Sequence, residues 1–243
     1  MAEASFKSTV DVQLVQSMGG DHMVVAAAKV STCGDDALAF ADPALASDNA
    51  GLINYLMKHR HGTPFEHGAM TFYVHAPIFV WREWHRHRIA FSYNEESGRY
   101  KQLEPVFYLP DRERPMMKVD GWKPGRPKFL RCESDATFAH LCGNLRMVYT
   151  EAYRVYEENL SLGIDPGLAR DCLPVGIYSG CWVTCNPRSL MAFLSLRTHE
   201  PTAKAVSYPL HEIELGARAC EEMFRQGWPI TYEAFCQNGR QAP

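Results

Sequence analysis

Trp84-His85-Arg86-His87-Arg88-Ile89-Ala90-Phe91-Ser92-Tyr93-Asn94-Glu95-Glu96-Ser97-Gly98-Arg99-Tyr100 is the stretch from which both the fold and the chemistry of this chain are read. It follows a strongly apolar run, Pro77-Ile78-Phe79-Val80-Trp81-Arg82-Glu83-Trp84, in which proline suits a first helical position. Ser92, Asn94, Ser97 and Gly98 are poor helix-interior residues, so the segment is expected to leave that helix as an ordered loop. Arg86, Arg88 and Arg99 offer planar forks of donors that match phosphates and carboxylates in pairs. Ser97 beside Gly98 lets backbone N–H groups approach an anion closely. Glu95 is able to accept from ribose hydroxyls or a base. A solvated basic turn, paired weakly with Glu95 and Glu96, fits the same residues taken alone.

Outward from this centre the pattern is mixed. Val10 to Val15 reads as a first strand. Asp21 is placed to cap a helix through Met23 to Val30, and Asp48 another that carries Leu52, Ile53, Leu56 and Met57. Met70 to His75 alternates and reads as a strand. Asp135 to Leu162 carries a long helical pattern ended by Gly163, and Asp165-Pro166 starts a shorter helix. Tyr178 to Thr184 reads as a strand, and Asn186-Pro187 opens a helix with Leu190, Met191, Phe193, Leu194 and Leu196. A last helix spans about Leu210 to Arg225 and stops near Gly227-Trp228-Pro229. The fold class expected is α+β: one domain over residues 1–243, with helices around a modest, mostly antiparallel sheet. Residues 109–127, rich in Pro, Gly and charge, read as a surface excursion from it.

The whole chain narrows the function classes. Its 243 residues, 46% hydrophobic and 22% charged, support a sizeable core rather than disorder. A formal net charge of -3 argues against a globally basic nucleic-acid binder, and nucleic acid is not expected as a partner. The apolar runs fall well short of about 18 residues, so no membrane span is expected. The N-terminus lacks a basic start followed by an apolar run, which with scattered cysteines and no CxxC pair suggests reduced thiols and a cytoplasmic protein. Cys181 and Cys185, four apart, share a face on either a strand or a helix and read as structural.

Further anion handles lie downstream. Arg170 stands in Ala169-Arg170-Asp171-Cys172-Leu173-Pro174. Arg188 and Arg197 are nine apart on one expected helix, hence on opposite sides of it, able to address two ligands or two neighbouring sites. His59 with His61, His85 with His87, and His67 are the residue types of a metal site. Each pair would share a face on a strand, but His87 lies between two permanent cations and no HExxH supports it, so no metal is expected. Neither GxxxxGK[ST] nor GxGxxG occurs, so a dinucleotide would bind outside the P-loop and Rossmann modes.

These residues resemble the flavin-dependent thymidylate synthase family, whose hallmark is Arg-His-Arg, seven or eight residues, then Ser in a Ser-x-x-Arg-Tyr ending. Here Arg86-His87-Arg88 is followed by eight residues and then Ser97-Gly98-Arg99-Tyr100. Ala28-Lys29-Val30-Ser31, His61-Gly62-Thr63-Pro64-Phe65-Glu66-His67, Ala76-Pro77-Ile78-Phe79-Val80, Arg170 with Leu173-Pro174, Asn186-Pro187-Arg188-Ser189-Leu190-Met191 and Leu196-Arg197 match in order. The blocks run from about Ser31 to Glu214.

The resemblance implies an α+β domain assembled as a homotetramer with shared active sites. It implies NADPH reducing FAD, a one-carbon unit passing from 5,10-methylenetetrahydrofolate to C5 of dUMP, and dTMP and tetrahydrofolate as products. It implies that Thr63, Arg86, His87, Arg88, Glu95, Asn186 and Arg188 contact FAD, with Ser31, His61 and Glu66 near it. It implies a dUMP site drawn from Glu83, Trp84, His85, Arg86, Glu95, Glu96, Ser97, Gly98, Arg99, Arg170 and Arg197. Arg197 is the expected catalytic group: a guanidinium beside N3 of uracil stabilises an ionised pyrimidine and makes C5 nucleophilic without a thiolate. No base is obviously poised to activate Ser97, which is read as a binding residue. Two other classes fit single features: a silent relative binding nucleotide or RNA through the same arginines, and a metal hydrolase using His59, His61, His85 and His87.

Overall fold

A computed structural model describes residues 3–43, 49–121, 123 and 128–243. In chain order the elements are β1 (Ser5–Lys7), β2 (Asp11–Met18), α1 (Asp21–Cys33), α2 (Ala50–Lys58), β3 (Ala69–Pro77), α3 (Ile78–Trp84), β4 (Phe91–Glu95), β5 (Val106–Tyr108), β6 (Met117–Lys118), β7 (Phe129–Leu130), α4 (Asp135–Ser161), α5 (Pro166–Ala169), β8 (Tyr178–Cys185), α6 (Pro187–Arg197), α7 (His211–Gly227) and α8 (Pro229–Gln237). Short 3₁₀ turns occupy Gly34–Ala41, Thr63–Glu66 and Arg170–Cys172. The class is α+β: a four-stranded antiparallel sheet in the order β2-β3-β8-β4, with helices around it.

The chain divides into two units built from interleaved segments: Met1–Asp11, His75–Arg86 and Asn94–Cys181 in the first, Val12–Val74, His87–Tyr93 and Trp182–Pro243 in the second. In the first, β1 and β5 pair in parallel, with Phe6 opposite Phe107. α4 buries Tyr149, Tyr153 and Tyr156, at spacings of four and three, against Leu103, Phe107, Leu109 and Ile177. Their hydroxyls are satisfied locally: Tyr153 donates to the Leu103 carbonyl at 2.8 Å, and the Tyr156 oxygen accepts from the Leu103 N–H at 3.1 Å. Ser134 caps α4, its hydroxyl accepting from Thr137 N–H at 3.2 Å, and Gly163 takes φ 77 just beyond the end.

In the second unit α6 packs on α7, burying Leu190, Met191, Phe193 and Leu194 with Ile213, Ala217, Cys220 and Phe224. Arg240 and Glu221, each 6% exposed, form a buried ion pair at 2.6 Å. Glu221 also accepts from Arg218 at 2.9 Å, so it is the loss of Glu221 that would strand a buried charge, Arg240, at a cost of about 3–5 kcal/mol.

Several expectations are corrected. The segment after Arg88 is not all loop: Phe91–Glu95 is the β4 edge strand, because Phe91 and Tyr93 alternate with polar Ser92 and Asn94 and put both rings on one face. The first strand is Ser5–Lys7, and the stretch expected at Val10–Val15 is β2, running to Met18. Asp21 does not cap α1, whose N-cap is Gly20; its carboxylate accepts from Ile230 N–H at 2.9 Å and Thr231 N–H at 2.8 Å, so it serves α8. The last long helix is α7, which ends at Gly227 as expected; Pro229 then starts a further short helix, α8, that the sequence reading did not include. The excursion at 109–127 includes β6, paired antiparallel to β7 with Met117 opposite Leu130. Asp48, Trp122 and residues 124–127 lie outside the described residues. No helix among the described residues is long and apolar enough to cross a membrane.

Candidate active site

The first unit gathers a compact anion cradle. α3 is held down by Trp81, whose indole N–H donates to the carbonyls of Ala76 at 3.1 Å and Ser179 at 3.0 Å. Its last turn delivers Glu83, Trp84 and His85, and His85 stacks on Trp81 with centroids 5.4 Å apart. Arg86 follows, its N–H bonded to Glu83 O at 3.3 Å. Beyond β4, Glu96 N–H donates to Gly180 O at 2.8 Å and its carboxylate pairs with Lys101 at 3.0 Å. Glu96 thus braces the loop rather than presenting itself to a ligand.

At Ser97 the chain makes a single tight turn. The N–H groups of Tyr100 and Lys101 donate to Ser97 O, and Arg99 N–H donates to the Ser97 hydroxyl at 3.3 Å. Gly98 is buried because Arg170 lies across it: a Cβ there would stand 3.1 Å from Arg170 Cδ. Arg99 runs beside Gly167, and its guanidinium lies 5.4 Å from the centre of the Tyr100 ring. Ser97, Gly98, Arg99 and Arg170 therefore lie around one turn, a grouping of two guanidinium side chains of the kind that binds anions. Glu95 is exposed at the end of β4.

The second unit carries two arginine centres at opposite ends of α6. Asn186 caps the helix, its side-chain oxygen accepting from Ser189 N–H at 2.8 Å, with Pro187 at N1. Arg188, in that first turn, donates from Nη1 to Glu66 at 2.6 Å and from Nε to Pro243 O at 2.7 Å. Gly62 admits this side chain, since a Cβ there would fall 2.4 Å from Arg188 Cζ. Thr63 and Glu66 ride the neighbouring 3₁₀ turn, anchored by fully buried Phe65, against which both α1 and α6 pack. Ser31, exposed on α1, donates to Ala28 O at 3.0 Å. His61 lies beside Tyr55, rings stacked at 6.2 Å. An α-helix N-terminus carrying Arg188 suits an anionic group such as the pyrophosphate of a dinucleotide, so these residues fit FAD.

At the other end, Arg197 Nε donates to His87 Nε2 at 3.0 Å. His87 is boxed by Phe193, edge-on at 4.9 Å, and Phe91 at 6.2 Å, while Tyr93 donates to the His87 carbonyl at 2.6 Å. Burial, then the Arg197 charge, holds the His87 imidazole down at about 4. Arg88 is exposed on the turn before β4, where Ala90 takes a left-handed φ of 51.

The buried thiols are poor nucleophiles. All eight cysteines are free, and burial raises Cys181 to about 12 and pushes Cys185 and Cys220 up as well. His59 and His61 follow α2 and His85 follows α3, so neither histidine pair lies on a shared strand face. Among the described residues no three His, Cys, Asp or Glu side chains gather as a metal site. Sequence reasoning missed the aromatic box around His87 and the reach of Arg188 to the C-terminal segment. The alternation of Phe91 and Tyr93 was the available signal for the first; the second, 55 positions apart, had none.

Comparison with known proteins adds an independent line. The family model described as "Thymidylate synthase complementing protein" matches residues 13–230. The "Flavin-dependent thymidylate synthase" of Streptomyces avermitilis is 46% identical over 243 residues, covering 98% of this chain and 96% of that one. That of Thermotoga neapolitana is 39% identical over 224 residues, covering 92% and 89%. Among solved structures, a UMP/dUMP methylase PolB from Streptomyces cacaoi bound with 5-Br dUMP matches with a TM-score of 0.90 and 43% identity, over 98% of this chain and 100% of that one. The same methylase bound with 5-Br UMP gives 0.89 and 41%, over 99% of each.

Proposed function

The chain belongs to the flavin-dependent thymidylate synthase family, and from that premise we propose how its own residues carry the reaction. The enzyme is an FAD-dependent methyltransferase that converts dUMP to dTMP, with 5,10-methylenetetrahydrofolate as carbon donor and NADPH as reductant. Bound FAD supplies the hydride that completes the methyl group. We assign its hold to Arg188, Asn186, Thr63, Arg86, His87 and Arg88, with Ser31, His61, Glu66 and Glu95 close by. The cradle of Ser97, Gly98, Arg99 and Arg170 takes the nucleotide phosphate, and Glu83, Trp84, His85, Arg86 and Glu95 complete that site, while Glu96, paired with Lys101, braces the loop that carries it.

Arg197 is assigned the chemistry. Its guanidinium stabilises the uracil ring as an anion at N3, and the electron density so released makes C5 the nucleophile. The buried, high-pKa thiols support a route that needs no sulfur attack. The observation that carries the reading is 46% identity over 98% of the chain to a flavin-dependent thymidylate synthase.

A homotetramer with shared sites is proposed with it. Exposed apolar residues on α4, Met147 at 65% and Val148 at 51%, support burial against another copy. Eight free cysteines and soluble nucleotide substrates support a cytoplasmic setting.

The test mixes the protein with FAD, NADPH, dUMP and 5,10-methylenetetrahydrofolate and follows dTMP. Flavin-loaded protein that forms none would overturn the reading. A second substrate is favoured by the structural neighbour's capture of both 5-Br UMP and 5-Br dUMP: UMP in the same assay, giving 5-methyl-UMP.

A further inference from the structure

Arg197 ends α6, where an arginine side chain has about 2 kcal/mol of rotamer entropy to lose before it presents a fixed plane. Something must therefore hold it. One group that holds it is the His87 ring, 110 positions away in sequence, with Arg197 Nε donating to Nε2 at 3.0 Å. Because Nε2 accepts, the ring proton belongs on Nδ1.

The imidazole itself is fixed from two elements. Phe193, one helical turn before Arg197 on α6, meets it edge-on at 4.9 Å. Phe91 on β4 closes the other flank and stacks on Tyr93 at 5.8 Å with 9° between planes, while the Tyr93 hydroxyl pins the His87 carbonyl at 2.6 Å. A ring gripped this way orients whatever bonds to it.

We propose that His87 is the positioning residue for Arg197: its bond to Nε sets the plane in which the guanidinium meets the pyrimidine. This rests on the assignment of Arg197 to the nucleobase and goes beyond a flavin contact for His87. The flanks of the ring are the phenyl groups of Phe91 and Phe193, and the cation facing it is Arg197, so His87 is kept as an acceptor through the neutral range.

The test compares His87→Leu, His87→Gln, Arg197→Ala and the double variant His87→Leu/Arg197→Ala. Flavin content is read by absorbance, 5-bromo-dUMP binding by equilibrium dialysis, and turnover per bound flavin. Whatever flavin His87→Leu loses with its own contact, it is expected to bind 5-bromo-dUMP more weakly and to lose about 100-fold in turnover per bound flavin, the scale of a misplaced reacting group. His87→Gln, which keeps an acceptor, should restore most of both. The double variant should be no worse than Arg197→Ala, because the two residues act as one unit. Three results would overturn the proposal: His87→Leu losing flavin while turnover per bound flavin stays normal, losses that add in the double variant, or His87→Gln as impaired as Arg197→Ala. The last applies even if His87→Leu fails to fold. Full turnover by Arg197→Ala would instead sink the assignment of Arg197 itself.

Discussion

The carboxylate of Asp21 and the backbone of Thr231 are joined across 210 positions of chain: Oδ1 accepts from the Thr231 N–H at 2.8 Å and from its hydroxyl at 2.6 Å. Oδ2 accepts from Ile230 N–H at 2.9 Å. α8 begins at Pro229 after Trp228, which gives no side-chain cap, so its first-turn N–H groups are satisfied from the start of α1. Asp21→Ala removes a buried cap and strands those donors, which costs about 2–4 kcal/mol. Urea unfolding should show the midpoint falling with an unchanged slope, and Asp21→Asn should recover part of the loss. A loss confined to a few tenths of a kcal/mol would show that water replaces the carboxylate.

The same pair marks how far the sequence could be read. Asp21 was legible as a helix cap because its type and its place before an apolar run are local signals; which helix it serves is set by packing. α8 escaped because Pro229 reads equally as a stop and as a first helical residue. α4 and α6 were legible because a long helical period, Gly163 after the one and Asn186-Pro187 before the other are local signals, although the Ser134 cap of α4 was not read. The site divides along the same line. Ser97, Gly98 and Arg99 are contiguous and could be grouped by eye. The pairings of Arg197 with His87 and of Arg188 with Glu66 arise only when distant segments meet.

Gly98 tests the phosphate cradle. A Cβ there would stand 3.1 Å from both Arg170 Cδ and Leu103 Cδ1, so Gly98→Ala must push Arg170 aside. Displacing Arg170 by a few tenths of an ångström weakens a charge-assisted bond to phosphate by part of its roughly 1.5–3 kcal/mol, which should raise the KM for dUMP by about three- to tenfold. Flavin content should stay at the wild-type level. Steady-state kinetics at saturating NADPH and folate would check it, and an unchanged KM would remove Arg170 from the nucleotide site.

Gly62 tests the other end of α6. Its φ of -78 suits any residue, so Gly62→Ala carries no backbone strain; its cost is the collision with Arg188, whose Cζ and Nε would lie 2.4 Å from the new Cβ. Arg188 must then leave Glu66. The variant should bind FAD about tenfold or more weakly, measured by flavin fluorescence during titration. Its KM for dUMP, taken at saturating FAD, should hold.

Thiol chemistry offers a separate check. Cys185 and Cys220 are buried and Cys181 is raised to about 12, so none forms thiolate near neutrality. Cys172 is exposed, although burial of its sulfur still lifts its pKa. Iodoacetamide at pH 7.5 should label exposed thiols while dTMP formation continues at the untreated rate. Inactivation in step with labelling of a single buried cysteine would restore a sulfur nucleophile to the mechanism.

Acid should expose the cost of keeping His87 uncharged. Its folded-state pKa, about 4, lies below the ordinary 6.5, so between these values the unfolded chain takes up a proton that the folded chain refuses. Stability therefore falls as pH drops through 6.5, and the deficit from this residue is complete below about 4. His75, also lowered by burial and by Lys7, adds a penalty of the same sign. Above 6.5 neither ring contributes a slope, since both states are neutral there. His87→Gln cannot titrate and should lose less stability than wild type between pH 7 and pH 4.5, when unfolding free energies are measured in urea across that range. Parallel curves would mean that the His87 ring is charged in the folded enzyme and does not accept from Arg197.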